Sequence, residues 1–219
     1  STPKPSSAAS DVYKRQTLRE NVVALARNIG YVPRSKKAST ATINFTVEPG
    51  ITPPPTTITL KKGPVVSTNE FGGQSFVFGL TKDVTKPVID GVASFLDVNV
   101  KEGTVIDQKF PYSTNNINQR FILSNAGIDL STLEVYVRPS ATSSLLSSYT
   151  RQDSLFDAVT GSSITKDSLI YYIQEIEDEQ YELIFGDGIF GKELSDGNIV
   201  EVSYILTNGS EANGISNLS

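Results

Sequence analysis

Residues 181–204 read Tyr181-Glu-Leu-Ile-Phe185-Gly-Asp-Gly-Ile-Phe190-Gly-Lys-Glu-Leu-Ser195-Asp-Gly-Asn-Ile-Val200-Glu-Val-Ser-Tyr204. Tyr181, Leu183 and Phe185 alternate onto one face, and Val200, Val202, Tyr204 and Leu206 repeat the alternation further on, so two strands flank a glycine-punctuated excursion. Gly186, Gly188, Gly191 and Gly197 fall where a chain must turn or admit a second backbone, and Asp187 and Asp196 precede two of them as Asp-Gly turn dipeptides. Gly186, Asp187, Gly188, Gly191, Asp196 and Gly197 are therefore read as a structural turn.

Working outward, the period of two continues upstream. Ala41, Ile43, Phe45 and Val47 face one way and Thr42, Asn44 and Thr46 the other. Ile58 to Leu60, Val65-Val66, Ser75 to Leu80 and Val92 to Val100 read as further strands, with Leu96, Val98 and Val100 set opposite Asp97, Asn99 and Lys101. The polar stretch from Phe110 to Gln119 predicts a seam. Beyond it Phe121 to Leu123 and Leu133 to Val137 resume the pattern, and Leu169 to Ile176 with Tyr181 to Phe185 reads as a hairpin around Glu177-Asp-Glu179.

One stretch is helical in period. Thr17-Leu-Arg-Glu20 has the capping-box spacing, Leu18, Val22, Leu25 and Ile29 fall on one stripe, and Gly30 and Pro33 close it. A short helix is marginal unless it docks, so the stripe packs either on the sheet behind it or on another subunit, and in the second case it is a candidate assembly interface. The expected class is α+β, mainly antiparallel β: one N-terminal helix followed by two β-rich lobes. The expected divisions are 1–16, a disordered or non-native junction segment; 17–37, helix and connector; 38–110, a first β-rich lobe; and 111–219, a second lobe carrying the glycine block. Ser7 to Gln16 reads as a translated adapter, and the absence of Met predicts a fragment of a longer reading frame.

Composition narrows the chemistry. The 219 residues include no His and no Cys, so a Ser-His-Asp triad, a thiolate nucleophile and zinc held by nitrogen or sulfur are excluded for this sequence. A net charge of -5 disfavours nucleic acid and anionic membrane as partners. No apolar run reaches the ~20 residues of a membrane-spanning helix. Glu175, Glu177, Asp178, Glu179 and Glu182 could be read as glycosidase carboxylates, but four of them sit at or beside a hairpin tip, where water keeps such groups ordinary. Asp187 and Asp196 do not follow the EF-hand spacing for calcium. The expectation is a chain that is not an enzyme, with no catalytic residue, cofactor, metal or small-molecule substrate.

The string Phe185-Gly-Asp-Gly-Ile-Phe-Gly191, followed by Asp196-Gly197, Tyr204 and Asn208-Gly209, resembles the signature block of the baseplate J-like family, the wedge proteins of contractile bacteriophage tails. Leu18 to Pro33 followed by Ala38 to Thr42, Lys62-Gly63-Pro64, and Phe71 to Phe78 resemble the helix-then-strand opening and the β region that follows it. The resemblance implies a structural component of the virion's tail baseplate, assembled in the host bacterial cytoplasm. Its partners would be other wedge subunits around the tail hub and a second copy of itself. A carbohydrate- or receptor-binding β module of a tail tip or adhesin is the alternative.

Overall fold

A computed structural model describes residues 34–68, 75–153, 156–157 and 162–209. Their strands are β1 (Thr40–Val47), β2 (Thr57–Leu60), β3 (Gly63–Ser67), β4 (Val77–Leu80), β5 (Val84–Ile89), β6 (Val92–Glu102), β7 (Thr104–Pro111), β8 (Phe121–Leu123), β9 (Ile128–Arg138), β10 (Ser147–Arg151), β11 (Phe156–Asp157), β12 (Ser162–Ser163), β13 (Ile170–Glu175), β14 (Tyr181–Phe185) and β15 (Ile199–Leu206). The only helical turn among the described residues is a 3-10 turn at Glu177–Glu179.

The expected α+β class is thus corrected to all-β for the described residues. The physical reason lies in the punctuation. From residue 34 onward, alternating runs are cut at short intervals by glycine, proline and Asp-Gly turns, which leaves no stretch long enough to offset the cost of a helical nucleus. The expected helix, with Leu18, Val22, Leu25 and Ile29, lies outside the described residues, as does the 1–16 segment.

Two compact units are present, and each is drawn from separated stretches. One takes Ser35–Asp107, Gly127–Leu133 and the residues from Ser203 onward; the other takes Gln108–Ala126 and Glu134–Val202. The sequence reading sets the boundary between its two β-rich lobes near residue 110. The boundary between units falls within β7, β9 and β15.

The first unit holds a six-stranded sheet ordered β2-β5-β6-β4-β3, with β1 also paired to β6. β6 organises it: β1 runs antiparallel along it from Thr40↔Lys101 to Val47↔Ala93, while β4 pairs with its last residues and β5 with its first. Phe76, Phe78, Leu80, Ala93, Phe95, Val98 and Val100 form the core, and Phe45 stacks on Phe95 with centroids 5.1 Å apart. Here the expected facing of β6 is corrected. Between Val98 and Phe95 the strand carries two residues, Leu96 and Asp97, against Asn44 alone, and Asp97 takes φ 53. This bulge flips the alternation, so Phe95 is buried and Leu96 is 61% exposed. The Asn44 side-chain oxygen accepts from the Asp97 amide at 2.6 Å and holds the bulge in place.

The same unit ties its incoming and outgoing segments together with buried carboxylates. Asp129, 1% exposed, accepts from the Ala38 amide at 3.0 Å through one oxygen, and from the Ser131 amide and hydroxyl through the other. Glu102, 2% exposed, accepts from the Thr207 hydroxyl and, at 3.2 Å, from Asn208 Nδ2. The Ser39 hydroxyl donates to the Gly209 carbonyl at 3.3 Å.

The seven-stranded sheet runs β7-β15-β9-β10-β13-β14-β8. β10 and β13 pair in parallel, whereas β9–β10, β13–β14 and β14–β8 are antiparallel. An aromatic cluster fills one face in the second unit: Phe121 meets Phe110 at 5.8 Å and Phe185 at 5.2 Å, and Phe185 meets Tyr149 at 5.7 Å. The expected hairpin of Tyr181 to Phe185 is present as β13–β14, turned at Glu177–Glu179.

Candidate functional site

The glycine block begins where β14 ends. Phe185 is held in the aromatic cluster opposite Tyr171, which fixes the direction in which the chain leaves the sheet at Gly186. Gly186 then lies against Gly191, where a Cβ would fall 2.1 Å from the Gly191 carbonyl carbon. Only glycine allows this approach. Gly188 and Gly191 hold φ +79 and +97, and the Gly188 amide donates to the Gly191 carbonyl at 3.0 Å. Asp187 closes the turn by accepting from the amides of Ile189 (2.9 Å) and Phe190 (2.8 Å) through Oδ1. The excursion is bonded to the segment before β13: the Gly191 amide donates to the Thr165 carbonyl at 3.0 Å and the Lys192 amide to the Ser168 carbonyl at 2.8 Å. Ile189, at the apex, is 52% exposed.

Asp196 and Gly197 serve a different neighbour. Asp196 Oδ1 accepts from the Thr114 amide at 2.9 Å and from its hydroxyl at 3.3 Å. The Thr114 amide leads the causes that hold the Asp196 carboxyl below the usual carboxylate range. Gly197, at φ +80, donates to the Tyr112 carbonyl at 3.0 Å, and the Tyr112 amide donates to the Asn198 carbonyl at 2.8 Å. Desolvation raises the Tyr112 phenol above its ordinary pKa, with the charges of Glu193 and Asp196 adding to it. The six turn residues thus split into two brackets. Gly186, Asp187, Gly188 and Gly191 are joined to 165–168, and Asp196 and Gly197 are joined to 112–114.

Glu182 is engaged by Arg120 through both oxygens, at 2.8 and 2.6 Å. Glu179 sits at the end of the 3-10 turn with φ 56. Among the described residues no group of three or more Asp, Glu, His or Cys is placed to hold a metal ion.

Two polar networks escaped the sequence reading. Glu201 Oε1 accepts from Arg138 Nε at 2.9 Å and lies 3.1 Å from Lys109 Nζ, and the Arg138 guanidinium heads the causes that lower the Glu201 pKa. The buried carboxylates Glu102 and Asp129 form the other. No local motif marks either network, because their partners stand far off in sequence: 63 positions for Arg138–Glu201 and 105 for Glu102–Thr207.

No protein-family model matches this chain, and no curated protein matches its sequence.

Proposed function

We propose that the chain is a non-enzymatic structural component of a contractile-tail baseplate wedge, assembling with other wedge subunits around the tail hub. The observation that carries this reading is how the glycine block is used. The segment that resembles the baseplate J-like signature spends its backbone groups and the Asp187 Oδ1 atom on bracing the strands β13, β14 and β15 against their own connecting segments. Such a turn keeps a fixed shape, and an apical Ile189 held on it meets a partner with little loss of conformational freedom.

The receptor-binding alternative is favoured by one observation, the backbone bonds that hold Tyr112 against Gly197 and Asn198, next to Asp196, since aromatic faces and carboxylates are what a sugar contacts. Against it, the Asp196 carboxylate is already occupied by Thr114. Antibodies to this chain applied to particles of the encoding phage test the two readings. Labelling at the baseplate end of the tail, unaffected by soluble host glycan, supports the wedge role. Labelling confined to fibre tips and competed by glycan supports the alternative, and particles without label overturn both.

A further inference from the structure

The sheet edges among the described residues are guarded, with one exception. β2 is four residues long, with prolines at 53–55 before it and Lys61 after it; β3 carries Pro64; β7 carries Asp107, Lys109 and Pro111; and β8 has three residues. Short length, charge and proline are what keep an edge from pairing with another chain. β1 has none of them. Its eight residues, TATINFTV, include no charge, proline or glycine, and among the described residues its sole partner is β6.

The register shows which groups that edge offers. The Glu102 amide donates to the Ser39 carbonyl, so odd-numbered residues of β1 turn their backbone groups toward β6 and even-numbered ones turn theirs away. The amides and carbonyls of Thr40, Thr42, Asn44 and Thr46 therefore line the open edge, and their side chains are exposed as well. The inward side chains of Ala41, Ile43, Phe45 and Val47 are only partly buried, so a further strand would shelter their flank. The open run is bounded at both ends. Asp129 takes the Ala38 amide at 3.0 Å at one end, and Gly50, at φ +65, turns the chain away at the other. Residues 40–48 remain, with Asn44 at their middle.

We propose that two copies of this chain join edge to edge through β1, antiparallel about a two-fold axis at Asn44. That register uses the whole open run: Thr42 faces the partner's Thr46, and Thr40 faces the partner's Glu48. Charge favours a second copy as the occupant. β1 itself is uncharged, so two copies of an acidic chain meet there without repulsion along the strand. Lys101 Nζ lies 3.5 Å from Thr40 Oγ1, on the outer face, where the partner's Glu48 would arrive. Among the described residues neither Glu48 nor Lys101 is already ion-paired. The two-fold makes this contact twice. One strand pair is a small interface, so the dimer forms and dissociates with concentration. Pairing through β1 follows from the strand itself, whether or not the chain belongs to a baseplate wedge.

Sedimentation velocity of the full chain from micromolar to millimolar concentration tests this. A monomer–dimer equilibrium is expected, with amide exchange slowing at Thr40, Thr42, Asn44 and Thr46 as the dimer fills. Thr42→Lys together with Thr46→Lys sets like charges opposite each other across the axis and should abolish the dimer. Thr42→Lys together with Thr46→Glu sets opposite charges there and should keep it. A chain that stays monomeric overturns the proposal and leaves the edge to a strand of a different protein. A dimer that survives Thr42→Lys with Thr46→Lys overturns it too, and so does a dimer lost equally in both double variants. Circular dichroism melts separate lost pairing from lost folding. If either double variant does not fold, Glu48→Lys should weaken the dimer about fivefold and Lys101→Glu, added to it, should restore the affinity. An affinity that Glu48→Lys leaves unmoved counts against the interface.

Discussion

Gly186 and Gly191 lie backbone to backbone, with no room between them for a single methyl group. That closeness lets the chain leave β14, make a complete excursion and return to bridge Gly186 with Glu193. Gly197 makes a useful contrast, since it holds φ +80 with open space around it.

Gly186→Ala is expected to cost about 3 kcal/mol or more, because the new methyl meets peptide backbone that cannot swing aside. Gly197→Ala should cost only about 1–2 kcal/mol, the price of a left-handed conformation for an L-residue. Urea denaturation of the two variants measures the difference, and equal midpoints would refute the close-approach account.

The bulge in β6 makes a second contrast between neighbours. Phe95→Ala removes a fully buried ring stacked on Phe45 and should cost about 3–5 kcal/mol. Leu96→Ala, one residue along, should stay within about 0.5 kcal/mol of the parent. A destabilising Leu96→Ala would show that the alternation is not flipped there.

Glu102 tests the network at the outgoing segment. Glu102→Ala leaves the Thr207 hydroxyl without its acceptor in a buried setting and opens a void, with an expected loss of about 2–4 kcal/mol. Glu102→Gln retains an oxygen for Thr207 and should lose less. Chemical denaturation ranks the two, and an equal loss in both would show that the charge, which both remove, matters rather than the hydrogen bond.

The Arg138–Glu201 pair sets a pH dependence. Glu201 has its pKa lowered in the folded chain below the ordinary 4.5, chiefly by Arg138. A depressed folded-state pKa stabilises the fold above the unfolded-state value, and that contribution disappears as pH falls through the folded value. Melting temperature should therefore drop on acidification below about pH 4.5, and Glu201→Gln should lose part of that slope while melting lower at neutral pH. Asp83 and Asp196, whose pKa values are also lowered, keep the remainder of the slope in the variant. An unchanged slope in Glu201→Gln would remove this pair from the account.

Local signals were legible where one strand determines its own facing. β14 and the first part of β15 can be read because Tyr181, Leu183 and Phe185, then Val200, Val202 and Tyr204, alternate onto a buried face, and β13 because its unbroken apolar run Ile170-Tyr-Tyr-Ile173 ends at a charged turn. Leu96 was misplaced because a bulge is a relationship between two strands, and nothing in the run Phe95-Leu-Asp-Val98 states that only Asn44 will face its middle pair. β5 and β7 went unread because Lys86, Pro87, Asp107 and Lys109 interrupt their apolar pattern. The turn residues at 186–197 could be found from glycine spacing, whereas their division into two brackets depends on Thr165, Ser168, Tyr112 and Thr114, which only the fold brings near.

The bond from the Ser39 hydroxyl to the Gly209 carbonyl has a mechanical meaning. Positions 39 and 209 stand 170 apart in sequence, yet this bond ties them directly to each other. Tension applied between those two positions would therefore bear on the Ser39–Gly209 bond itself before it draws on the strands β1 and β15 that start and end beside them.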